Sequence, residues 1–167
     1  MEGKRVGESG IVMAQLMNPQ DANPAGNVHG GRIMYLIDNA AGSAAIRHAR
    51  MIVVTASIDR LDFHNPVFVG DMVTLRASVN FVGRTSMEVG VRVEAENLLT
   101  GVRRHTASAY LTFVALDAQG RPSLLPPLAL ETDEERRRNV EAKHRRQTRL
   151  AEKTSEKQCQ LDKQCLV

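Results

Sequence analysis

Asp38 sits in the middle of Gly31 to Ile46, GRIMYLIDNAAGSAAI, a stretch otherwise built of small and apolar residues. Arg32 is the only other charge there, and it lies at the edge where water can reach it. A carboxylate in such a place is costly unless it is paired, neutralised or used. Burial among Met34, Ile37, Ala41 and Gly42 should raise its basicity, which suits a general base or a nucleophile near neutral pH. Asp is also a poor helix former, so propensity does not account for it.

The same segment opens with Gly26-Asn27-Val28-His29-Gly30-Gly31. Such a loop can leave backbone N–H groups free at a helix start, ready to hold a negative charge that forms during a reaction. Gly31 N–H is the candidate oxyanion donor, and the Asn27 amide the candidate for orienting water or substrate. The plain alternative is turn chemistry, in which Asn and Gly are common.

Spacing bears on assembly. Asp38 lies seven residues beyond Gly31, which is about 10 Å of helix rise. A reacting carbonyl must sit about 3 Å from both groups. One helix does not supply both to one carbonyl, but two antiparallel helices from two subunits do. The site is therefore expected to be composite, at a twofold dimer interface, with two sites per dimer.

A third feature is the turn Val82-Gly83-Arg84-Thr85-Ser86. Arg84 and the two hydroxyls of Thr85 and Ser86 could grip a phosphate; a solvated hairpin is the plain alternative. His29, His48, His64 and His105 have no metal-ligand spacing, and no Ser or Cys stands in a nucleophile-elbow pattern.

These residues need elements to hold them. Ile11 to Met17 reads as a strand and Asn18 to Gly30 as a loop. Gly31 to His48 reads as a helix apolar on nearly every face, expected to be buried all round. Its run of Ala40, Ala41, Gly42, Ser43, Ala44 and Ala45 keeps it slim. Four long strands follow: Ile52 to Phe63, Met72 to Val82, Thr85 to Glu96 and Val102 to Leu116, the middle two alternating clearly. An antiparallel sheet wrapped around one central helix, an α+β fold, is the economical arrangement. Its open edges would invite a second copy.

After Pro126-Pro127 the composition changes. Residues 131–167 carry ten Lys and Arg against eight Asp and Glu. Glu131 to Lys153 is helix-prone, with Thr132 as N-cap, and mixed charge of this kind is usually a solvated helix with a frayed tail. The expected division is a flexible N-terminus over 1–9, one domain over 10–127, and a charged C-terminal helix and tail over 128–167.

The 167 residues suffice for one domain with a buried core. With 43% hydrophobic and 25% charged residues the composition is that of an ordinary globular protein. A net charge of +3 suits an anionic small molecule and is too weak to argue for nucleic acid. No apolar run is long enough to span a bilayer, so stable membrane insertion is not expected. Cys159 and Cys165 make neither a metal spacing nor a disulfide framework, and the N-terminus lacks the apolar core of a signal peptide. A cytoplasmic, reducing location is the plain reading.

Together, NPQDANPAGNVHGGRIMYLIDNAAGSAAIRH, VVTASIDRLDFHNPVFVGD and VGRTSMEVGVRVEAEN resemble the hotdog-fold acyl-CoA thioesterases, over roughly residues 10 to 118. The branch is the one holding bacterial short- and medium-chain and cytosolic brain-type long-chain acyl-CoA hydrolases. The resemblance implies a hotdog fold and hydrolysis of acyl-CoA to free acid and CoA. It implies no cofactor beyond CoA as part of substrate and product, and no metal. It implies dimers gathered into trimer-of-dimers hexamers. It puts the catalytic acid on Asp38 and the catalytic asparagine on Asn27, beside the oxyanion donor Gly31 read from the helix start. Arg84, Thr85, Ser86 and Gly30 become the expected CoA contacts. Two rival readings are an enoyl-thioester hydratase, kept open by His29, and a non-catalytic acyl-CoA-binding scaffold, motivated by Arg136-Arg137-Arg138 and Arg145-Arg146.

Overall fold

The computed structural model describes residues 2–161. In chain order the elements are β1 (Lys4–Arg5), α1 (Val6–Ser9), β2 (Ile11–Leu16), α2 (Gly30–Ala49), β3 (Ile52–Phe63), β4 (Asp71–Val82), β5 (Ser86–Asn97), β6 (Arg103–Leu116), β7 (Leu128–Ala129) and α3 (Asp133–Leu161). Five strands form one antiparallel sheet in the order β2-β4-β5-β6-β3, with β2 and β3 at its edges. The strand and helix limits match those expected to within one or two residues in the sheet and α2.

Alternation explains the sheet. Val73, Leu75, Ala77 and Val79 on β4 face the same side as Met87, Val89, Val91 and Val93 on β5, and as Ala107, Ala109, Leu111 and Phe113 on β6. All are buried, and α2 lies against them. The four alanines Ala40, Ala41, Ala44 and Ala45 let the helix backbone settle close to that surface, and all four are fully buried.

Helix α2 differs from expectation in one respect. It is not buried all round: Met34, Tyr35 and Ile46 are exposed. Exposed Ile52, Val54, Ile58 and Phe63 lie on edge strand β3. The apolar pattern of α2 read as burial all round because it cannot separate a face buried within one chain from a face left open on that chain.

The chain ends also differ. The N-terminus, expected to be flexible, holds β1 and α1; β1 pairs in parallel with β7. Helix α3, expected to be solvated, lies on the outer face of the sheet, where Ala142 is fully buried and Asn139 donates to the Asn80 carbonyl at 2.8 Å. Thr132 caps it, accepting from Glu135 N–H at 3.2 Å. No described helix is long and apolar enough to cross a membrane. Cys165 and the side chain of Cys159 lie outside the described residues.

Candidate active site

Asp38 lies on the third turn of α2, and its neighbours Leu36, Ile37 and Ala40 are buried. Its Oδ1 accepts a hydrogen bond from the Thr55 hydroxyl on β3 at 2.8 Å. Oδ2 has no hydrogen-bond partner among the described residues. Contrary to the expectation of a buried acid, Asp38 is half-buried in the single chain. It opens onto the same side as the exposed edge strand. Thr55 was not singled out from sequence; a lone Thr in a β-branched run reads as strand propensity.

The loop before α2 is pinned at several points. Asp21 accepts from Asn18 N–H at 2.9 Å and forms a 3.0 Å ion pair with Arg32 on the first turn of α2. The Asp21 carbonyl accepts from His29 N–H at 2.8 Å, and the Val67 carbonyl from Val28 N–H at 2.8 Å. Gly26 closes the Asn23–Asn27 turn with a φ of +85°, in the left-handed region that favours glycine.

Asn23 and Asn27 both line a cleft of about 300 Å³, with Gly30, Phe63 and His64. The Asn23 Oδ1 accepts from Ala25 N–H at 2.9 Å and from Asn27 N–H at 3.2 Å. That fixes the amide and leaves its NH2 group as two oriented donors. The Asn27 backbone accepts from Asn23 N–H at 2.7 Å, so the two asparagines belong to one turn.

Gly31 N–H is not free. It donates to His29 Nδ1 at 3.0 Å, because His29 is the N-cap of α2. Gly30 N–H has no partner among the described residues. His29 therefore serves the helix start, and it lies at the other end of the segment from Asp38.

Arg84, Thr85 and Ser86 occupy the β4–β5 turn. The Arg84 carbonyl accepts from Leu125 N–H at 3.1 Å and the Thr85 carbonyl from Ala115 N–H at 3.0 Å. The guanidinium of Arg84 is exposed and has no ion pair among the described residues. Register relates this turn to Asp38: Thr55 is opposite Phe113, Phe113 opposite Met87, and Met87 opposite Val82. The turn thus sits at the Thr55 level of the sheet, whereas Asn23, Asn27 and Gly30 sit near Phe63 at the far end of β3. One chain does not bring the two groups together. No cluster of His, Cys, Asp and Glu that could hold a metal occurs among the described residues.

Comparison with known proteins gives this arrangement its relatives. Residues 25–102 match the family model described as Thioesterase superfamily. The acyl-CoA thioester hydrolase YkhA of Bacillus subtilis, named as uncharacterised, is 44% identical over 77% of this chain and 74% of its own length. The cytosolic acyl coenzyme A thioester hydrolase of Mus musculus is 36% identical over 86% of this chain, which spans 38% of that longer protein. Among solved structures, an apo-hexameric acyl-CoA thioesterase superposes with a TM-score of 0.88 at 40% identity, over 91% of this chain and 97% of that one. The acyl-CoA hydrolase of Staphylococcus aureus, solved with butyryl coenzyme A and coenzyme A, gives 0.86 at 36% identity, over 93% and 94%.

Alanine variants of the S. aureus hydrolase have been solved at an asparagine, at an aspartate fifteen residues later, and at a threonine seventeen beyond that. Asn23, Asp38 and Thr55 reproduce this spacing; Asn27 does not. Asn23 was not singled out from sequence because Asn-Pro looks like an ordinary turn. The fold, the carboxylate–threonine pair and these relatives agree: the chain belongs to the thioesterase superfamily, among its hotdog-fold acyl-CoA thioester hydrolases.

Proposed function

We propose that this protein hydrolyses fatty acyl-CoA to free fatty acid and CoA, at sites shared between two subunits. The observation that carries the reading is the Asp38 carboxylate, held by Thr55 beside an open apolar edge, with its second oxygen unengaged among the described residues. In the dimer, Asp38 of one chain faces the α2 N-terminus and the Asn23–Asn27 turn of the other. Water attacks the thioester carbonyl carbon while Asp38 takes its proton. The oxyanion is held by the Gly30 and Gly31 N–H groups, Gly31 becoming available when the exposed His29 ring swings aside. The tetrahedral intermediate then expels CoA as thiolate, and the proton held by Asp38 neutralises it.

Asn23 is our choice for the side-chain amide that orients the thioester or the water. Two backbone N–H groups fix its oxygen, so its donors need no reorganisation. Asn27 is the alternative, on the same turn. Arg84, Thr85 and Ser86 supply a cation and two hydroxyls for the CoA phosphates, and Gly30 allows close approach of the pantetheine arm. Exposed Met34, Tyr35, Ile46, Ile58 and Phe63 support burial against a second copy. Hexameric relatives support a further gathering of dimers.

Hydrolysis of an acyl-CoA series, read by release of free thiol, tests this. Asp38→Ala should lower kcat by roughly a thousandfold. Asn23→Ala should lower it by roughly a hundredfold, with Asn27→Ala within a few fold of wild type. A fully active Asp38→Ala would remove the assignment. The reverse order of the two asparagines would return the role to Asn27.

A further inference from the structure

Between Thr55 and Asp59, edge strand β3 does something a regular strand does not. Residues two and four apart in a strand point to the same face. Yet Thr55 reaches beneath the sheet to Asp38 on α2, while Asp59 reaches above it to Arg149 on α3. Two register shifts against β6 make this possible, one between Thr55 and Ser57 and one between Ile58 and Arg60. Among the described residues, strand β3 has no neighbour on its other side. Its ladder with β6 alone leaves the bulged segment weakly specified, since a one-residue slip flips side chains to the other face.

Polar groups from α3 fasten that segment. Arg149 donates to Asp59 Oδ2 and, at 2.6 Å, to the Thr112 hydroxyl on β6. Thr112 donates to Asp59 Oδ2 at 3.1 Å, and Ser57 to Asp59 Oδ1 at 2.6 Å. The Asp59 side chain is only 7% exposed. Further along, Arg145 grips the 4%-exposed Glu88 on β5 through two nitrogens, at 2.7 and 3.0 Å, and stacks on Tyr110 of β6 at 3.7 Å. Asn139 reaches β4. From Asn139 to Arg149 is roughly 15 Å of helix rise, matching about three strand spacings of 4.8 Å. Helix α3 thus crosses β4, β5, β6 and β3 in turn and meets the bulge at Arg149.

We propose that α3 is a strap whose Arg149, with Thr112, sets the bulge in β3 and so aims Thr55 at Asp38: Arg149 and Thr112 are positioning residues for catalysis. This rests on the reading of Asp38 as the reacting carboxylate. Removing the guanidinium frees the bulge to slip, and a slip withdraws the Thr55 hydroxyl from Asp38.

The test is acyl-CoA hydrolysis by the full-length chain, with hydrogen exchange read at β3 amides. Arg149→Ala should lower kcat by about tenfold to a hundredfold, with KM nearly unchanged and faster exchange over residues 52–63. Arg149→Lys should restore most of the rate. Thr112→Val, close in shape and far less disruptive should Arg149→Ala fail to fold, should lower kcat by a smaller factor in the same way. Adding Arg149→Ala to Thr55→Val should lower kcat no further, because both act through one contact. Arg137→Ala, whose ion pairs stay within α3, should behave as wild type. Wild-type kcat in Arg149→Ala or Thr112→Val, or full additivity with Thr55→Val, overturns the strap while Asp38→Ala remains inactive. An active Asp38→Ala would instead overturn the reading of the site itself.

Discussion

Among the described residues, the Thr55 hydroxyl is the hydrogen-bond partner of the Asp38 carboxylate, at 2.8 Å. A hydrogen bond to a charged acceptor contributes about 1.5–3 kcal/mol. If that contact holds the base in its working geometry, Thr55→Val should lower kcat by roughly tenfold to a hundredfold, with little change in thermal stability because Thr55 is exposed in the chain. Steady-state kinetics beside a thermal melt check this; a large loss of stability with unchanged kcat would contradict it. Asp38 was legible in the sequence because a charge in a run of alanines has no cheap structural explanation. Thr55 and Asn23 were not legible. Each looks like its surroundings, a β-branched residue in a strand and an asparagine in a turn, until its hydrogen bonds are seen.

At the scale of elements, most of the sheet could be read from alternation, and α2 from its apolar run. The docking of α3 could not. Its arginines look like a solvated face until they meet Glu88 and Asp59, and Asp59 is ninety residues away from Arg149. The other end of α2 carries a second buried polar group, His48, which the sequence did not distinguish from an exposed histidine. Its Nε2–H donates to the Pro126 carbonyl at 3.0 Å, tying α2 to the segment before β7. Burial holds its pKa below the usual 6.5, an effect the Pro126 carbonyl partly offsets. The neutral ring is therefore favoured in the fold. Above pH 6.5 both states are neutral and the contribution is complete; as pH falls below that, the unfolded chain takes up the proton first, and stability is lost until the folded ring titrates. Thermal melts on both sides of pH 6.5 should show Tm falling on the acid side. His48→Gln should be less stable at neutral pH but show a flatter acid-side decline, and an unchanged slope would contradict the role given to burial.

For the whole molecule, the exposed apolar side chains of α2 and β3 form the open face on which the proposed dimer rests. An edge strand of twelve residues carrying Ile52, Val54, Ile58 and Phe63 is an exposed pairing surface. Ile58→Lys places a charge on it and should shift the protein toward monomer, with activity falling in proportion. Sedimentation velocity beside the thiol-release assay checks both, and a fully active monomer would contradict a shared site. Helix spacing points the same way: the α2 N-terminus and Asp38 are too far apart along one helix to serve one carbonyl.

Subunit mixing addresses that point most directly. Asp38→Ala and Asn23→Ala chains, each retaining about one per cent of wild-type activity or less alone, are unfolded together and refolded at equal concentration. A shared site predicts that mixed dimers regain one intact site of two, restoring about a quarter of wild-type activity. Sites contained within single chains would leave every mixed dimer with two broken sites, and a refolded mixture as inactive as its parents would contradict the account.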